Sequence, residues 1–146
     1  MRSSLPFDLR CGFLVLSLLA LAGCGGQRTW PVNGTAKLKN GGDVGQLKGH
    51  TVSFEQTAPG PDGKTSSATG EIDADGKFQL STNATNDGAF PGKYRVAVTP
   101  PIGPVDGPKA AAVIHPKHQQ LGTSGIEITI EPKSNAVVIE LEPARP

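Results

Sequence analysis

Thiols are nearly absent from this chain. Its 146 residues include two cysteines, Cys11 and Cys24, and the positions of both are accounted for below without a disulfide or a thiolate metal site. Aromatic side chains are scarce at 5%. An excess of either charge is missing as well, because 14 basic and 13 acidic groups leave a formal charge of +1. That balance excludes an acidic tail protein and argues against a cationic nucleic-acid binder, so nucleic acid is not an expected partner. No apolar run approaches the roughly 20 residues that cross a bilayer comfortably. No segment of helix length carries a convincing 3.6-residue apolar period. Turn formers are abundant instead, with 19 glycines and 13 prolines but no collagen-like spacing. The length suits one domain with a modest core.

The longest apolar run occupies residues 11–22, behind a short segment containing Arg2, Asp8 and Arg10. It has the size of a secretory h-region. It ends in Leu21-Ala22-Gly23-Cys24, two small residues directly before a cysteine, which is the pattern of a bacterial lipobox. In that chemistry the Cys24 thiol receives a diacylglycerol, and a peptidase admits the small Ala22 and Gly23 and cuts before the cysteine. The expected organisation is a lipoprotein signal peptide at 1–23, a lipid-anchored linker at 24–29 and one domain at 30–146. Cys11 is discarded and Cys24 carries lipid, so no thiol remains for other work. Removing Arg2, Arg10 and Asp8 from the 14 basic and 13 acidic groups leaves 12 of each. Two or three acyl chains exceed the single chain that binds only marginally, so attachment is expected to be permanent. Gly25 is not the aspartate that signals inner-membrane retention, so an outer membrane is favoured where the host has one. The linker spans at most about 18 Å, at about 3.6 Å per residue over residues 25–29.

From Trp30 onward, period-two alternation recurs between Gly, Pro, Asn and Asp clusters, which predicts an all-β domain. Strands are expected at 32–38, 51–56, 65–73, 77–82 and 93–99, then around Ile126, Ile128 and Ile130, and around Val137, Ile139 and Leu141. Phe54, Ala68, Ile72, Phe78, Leu80, Tyr94, Val96 and Val98 fall on inward positions. Residues 109–114 allow a helical turn or two between Pro108 and Pro116. Seven strands suit a two-sheet sandwich with one buried face per sheet. The aromatics Trp30, Phe54, Phe78, Phe90 and Tyr94 mostly lie in or beside strands, which favours core packing over an aromatic binding platform.

The runs Glu71-Ile72-Asp73-Ala74-Asp75-Gly76-Lys77-Phe78-Gln79-Leu80 and Pro91-Gly92-Lys93-Tyr94-Arg95-Val96-Ala97-Val98 resemble a carboxypeptidase-regulatory-like domain. Val32-Asn33-Gly34-Thr35-Ala36-Lys37-Leu38 and Gly49-His50-Thr51-Val52-Ser53-Phe54 fit the first two strands of that domain. The closing Thr123-Ser124-Gly125-Ile126-Glu127-Ile128-Thr129-Ile130 resembles small bacterial lipoproteins built on it. The resemblance implies a seven-stranded transthyretin-like or immunoglobulin-like β-sandwich. It implies an accessory or adhesion-like module with no catalytic residues to carry over. One departure is the Gly-rich stretch at 40–48, which replaces a shorter first turn.

Chemistry-bearing candidates are few. Asp73-Ala74-Asp75-Gly76 has the opening of a calcium loop, but a twelfth-position carboxylate is missing because Ala84 stands there. A hairpin turn between the strands at 65–73 and 77–82 is the simpler reading, since Asp and Gly accept positive φ. His115-Pro116-Lys117-His118 has a zinc-like spacing, yet only His50 and scattered carboxylates remain to complete four ligands, and a solvated loop accounts for it better. Gly122-Thr123-Ser124-Gly125-Ile126 lacks the last glycine of a nucleophile elbow, and Gly63-Lys64-Thr65 lacks the upstream glycine of a phosphate loop. No catalytic, cofactor or metal residue is therefore assigned. Cys24 is the one site residue, for lipidation.

The sequence thus points to a non-enzymatic lipoprotein of the cell envelope with a structural or protein-interaction role. Its expected partners are the membrane, through Cys24, and an envelope protein or glycan. The alternatives are a glycan- or small-ligand-binding module and, further off, an envelope hydrolase using the loop histidines. The proline-rich connection at 99–123 is either a strap packed on the sandwich or an exposed binding loop.

Overall fold

The computed structural model describes residues 27–103 and 112–144. The expected signal peptide and lipobox with Cys24, and residues 109–111 of the helical turn considered at 109–114, lie outside the described residues; residues 112–114 are not helical, and Ile114 forms a β-bridge instead. Seven strands form: β1 (Val32–Leu38), β2 (Thr51–Gln56), β3 (Ser67–Glu71), β4 (Lys77–Gln79), β5 (Gly92–Thr99), β6 (Ile126–Ile130) and β7 (Asn135–Leu141). They make a three-stranded sheet in the order β4-β1-β7 and a four-stranded sheet in the order β3-β2-β5-β6. The fold is an all-β sandwich. First and last strands pair in parallel, from Val32 opposite Asn135 to Leu38 opposite Leu141, while all other ladders are antiparallel.

Alternation is the local cause of this packing, because successive side chains on a strand point to opposite faces. In β1, Val32, Gly34, Ala36 and Leu38 are buried while Asn33 and Lys37 are exposed. Phe54 tilts against Phe78 at a centroid distance of 6.3 Å and against Tyr94 at 6.0 Å, so one aromatic trio ties the two sheets together. Gly34 makes this trio fit, since a Cβ there would overlap the Phe78 ring. The Tyr94 hydroxyl donates to the Phe90 carbonyl four residues upstream (2.8 Å). That is the tyrosine-corner arrangement of Greek-key sandwiches, placed where the chain crosses from β4 in one sheet to β5 in the other. Burial pushes the phenol up to about 12.

Several boundaries differ from the sequence expectation, each for a local reason. β3 and β4 are shorter than 65–73 and 77–82. Beyond Gln79 a single bridge joins Ser81 to Thr69, and the Asp87 carboxylate takes the Thr82 and Asn83 N–H groups (2.7 and 3.1 Å). A turn does form between these strands, with Gly76 at φ 76°, but it does not close the expected hairpin. The strands it joins belong to opposite sheets. The stretch at 40–48 does end β1, but it contains a 3-10 turn, Val44–Leu47, opened by Asp43, whose carboxylate accepts from the Gly45 N–H (2.9 Å). This turn drives Leu47 to 0% exposure in the core.

Residues 112–124 form a strap held against the chain just past the end of β7. Ile114 bridges Pro143, the His115 N–H donates to the Glu142 carbonyl (2.8 Å), and the Ala144 N–H donates to the Val113 carbonyl (3.0 Å). Ile114 is 1% exposed and Val113 packs on the same cluster. From 112 to 123 the connection is therefore a packed strap, whereas residues 100–103 are exposed, Ile102 fully so.

Candidate functional site

The strap ends in a second 3-10 turn, Pro116–Gln119. His115 opens it, with Nδ1 accepting from the Lys117 N–H (3.2 Å), and Pro116 supplies a fixed φ at its first position. One helical turn later His118 points inward and is 2% exposed. Its Nε2 accepts from the Glu142 backbone N–H (2.9 Å), which pins the strap to the chain just past β7. The solvated-loop reading of the two histidines is thus corrected for His118: a residue spacing of three around a proline-started turn carries it into the interior. Sequence signals for this were present in the His-Pro opening and in the apolar Val113 and Ile114 before it.

Around His118 lies a cleft of about 470 Å³ that also includes Lys39, Lys117, Ser124 and Glu142. The Glu142 carboxylate binds Lys117 (2.6 Å) and Lys39 (3.2 Å), and these partners hold it at about 2, well below the usual carboxylate range. Burial, and then the neighbouring Lys117 charge, push His118 below its ordinary value. The Ser124 hydroxyl oxygen accepts from the Ile126 N–H (3.3 Å). Among the described residues, His118 bonds neither Ser124 nor a carboxylate. The base–nucleophile contact on which acyl-transfer chemistry depends is therefore not formed by this histidine. His50 is also buried, directly after the Leu47 turn, where its backbone N–H donates to the Leu47 carbonyl (3.0 Å). Among the described residues, no three His, Cys, Asp or Glu side chains converge as metal ligands.

Asp73 is occupied by backbone. Its Oδ1 accepts from the Asp75 N–H (2.9 Å) and the Lys77 N–H (2.8 Å), so the carboxylate builds the turn into β4.

A concavity of about 900 Å³ spreads over the outer face of the β4-β1-β7 sheet and reaches the outer side of β3. Its floor follows from pairing register. Asn33 stands opposite Gln79 and Ala136, and Thr35 stands opposite Lys77 and Val138. Gln79 Nε2 donates to Asn33 Oδ1 (3.0 Å), while Val138 is 55% exposed beside them. Thr69, Glu71 and Ser81 form the β3 side. Amides, hydroxyls, one lysine and a small apolar strip can hydrogen-bond and cover a polyhydroxylated ligand. Among the described residues this groove holds no histidine or nucleophile–base pair. In comparisons with known proteins, the chain matches no protein-family model, no curated protein and no solved structure.

Proposed function

We propose that this protein is a lipid-anchored, non-enzymatic β-sandwich of a bacterial cell envelope, with a structural or protein-interaction role. The observation that carries the reading is the box Leu21-Ala22-Gly23-Cys24 directly behind an apolar run of signal-peptide length. Two further features support it. The buried polar side chains His118 and Ser124 are tied to backbone groups in the fold's own turns. The seven-stranded sandwich is what the carboxypeptidase-regulatory-like resemblance implies, and it supports that kinship at the level of fold alone. Gly25 favours export onward to an outer membrane. Radiolabelled palmitate is expected to enter the full chain in cells and to be absent from Cys24→Ser, which should be released into the soluble fraction. Equal labelling of both chains would sink the anchor.

The groove over Asn33, Thr35 and Gln79 favours a second reading, binding of a glycan or other small polar ligand on the outer sheet face. Soluble cell-wall oligosaccharides are expected to shift the amide resonances of β1, β4 and β7 selectively. Shifts spread over the whole domain, or none, would remove this reading.

A further inference from the structure

The sandwich has two unlike ends, and the chain enters at one of them. Trp30 pairs with Ala89 through two backbone hydrogen bonds (2.8 and 3.0 Å), and the Asn135 N–H donates to the Pro31 carbonyl (2.9 Å). Gln56 Nε2 donates to the Pro91 carbonyl (3.1 Å) where β5 begins. Residues 27–31, 57–66, 81–91 and 131–134 are thereby gathered at the entry end. The strap, the Val44–Leu47 turn and the Asp73–Gly76 turn lie at the opposite end, beyond Leu38 and Leu141. Along β7, six steps of about 3.3 Å put the two ends roughly 20 Å apart.

We infer that the entry end rests on the headgroup surface of the membrane that holds the anchor, with Trp30 at the contact and the strap held away from the bilayer. The inference rests on lipidation of Cys24 as proposed above. Its second support is the length of chain between lipid and fold. Gln27 already lies against the domain, its side-chain amide over Gly60 in the space a larger residue would fill. Arg28 places its guanidinium over the Trp30 ring, 4.8 Å from the centroid. Only three steps, from Cys24 to Gln27, separate the anchor from the fold, at most about 11 Å. That is shorter than the 25–29 leash suggests, and about half the distance to the far end.

The side chains nearest the entry suit an interface. Tryptophan and arginine are residues that settle at the headgroup level, one presenting an amphipathic ring and the other a charge on a long apolar stem. Net attraction to anionic lipid is not required. Lys133 pairs with Glu131, and Lys64 shares its loop with Asp62, so the basic groups here are offset. Contact is set by the tether and by Trp30, and is expected to resist salt.

Trp30 is the only tryptophan in the sequence, so its emission reports on this end without modification. The experiment uses the lipidated full chain in phosphatidylethanolamine–phosphatidylglycerol vesicles, with or without a lipid carrying a headgroup nitroxide. Trp30 emission should fall several-fold with the nitroxide lipid, equally in low and high salt. In Trp30→Phe/Gln46→Trp the reporter moves to exposed position 46 in the Val44–Leu47 turn, and quenching should be slight. Intact mass separates the two layers of the claim. A chain without acyl groups on Cys24 overturns the anchor and the orientation together. An acylated chain with unquenched Trp30, or with both reporters quenched alike, overturns the orientation alone.

Discussion

Phe78→Ala is expected to cost about 3–5 kcal/mol of folding stability in urea denaturation, because the ring is a large buried side chain, 3% exposed. Phe78 comes from the three-stranded sheet and meets Phe54 of the four-stranded one, so its loss opens a cavity between the sheets. Lys77→Ala, on the exposed face of the same strand, is expected to stay within about 0.5 kcal/mol. The reciprocal change is equally informative. Gly34→Ala would drive a methyl group into the Phe78 ring, and overpacking of this kind costs about 1–3 kcal/mol or more. The double variant should lose clearly less than the sum, since alanine at position 78 vacates the space that alanine at position 34 needs. Additive losses would mean that the two residues do not share a site, and the pairing of β1 with β4 would then need a different register.

The alternation in β1, β2 and β5 made the strands and their inward faces legible, because a one-residue slip would turn Val52 and Phe54, or Tyr94 and Val96, to solvent. Partition into sheets was not legible. Nothing local in Lys77-Phe78-Gln79 says that this strand leaves β3 for β1, since the choice is made by Gly34, more than forty positions away, which leaves room for the Phe78 ring. The loop contributions to the core escaped for a similar reason. Leu47 and His118 sit in segments whose glycine and proline content reads as surface, whereas burial of Ile114 follows from the packed-strap reading of 99–123. Short 3-10 turns opened by Asp43 and His115 carry Leu47 and His118 inward without any periodic pattern. Of the candidate sites, the Asp73–Gly76 turn was readable because one carboxylate and one glycine define it locally. The groove was not. It is assembled from outward positions of β1, β4 and β7, which read singly as an ordinary solvated face.

The strap is the element whose removal should be felt most after the aromatic trio. Ile114→Ala is expected to cost about 2–5 kcal/mol and to expose the Glu142 and Ala144 N–H groups to hydrogen exchange, since both bond the strap. Acid should loosen the same contact. His118 Nε2 accepts the Glu142 N–H, so a proton on that nitrogen would set donor against donor. Lys117, His115 and Lys39 add positive charge around it, and only the Glu142 carboxylate opposes them. The folded value is lowered from 6.5, so below that value the unfolded chain binds the proton more readily than the folded one. The stability contributed by neutral His118 is thus fully present above about pH 6.5 and is lost as pH falls through the lowered folded value. Glu142 acts in a separate, more acidic window: its contribution is present above its ordinary 4.5 and is lost as pH falls through about 2. Melting temperatures of the wild-type domain should therefore decline as pH falls below about 6.5, while His118→Gln, whose amide oxygen can accept the Glu142 N–H at any pH, should decline much less. An unchanged slope in His118→Gln would assign the titration to another group and leave the strap latched independently of protons.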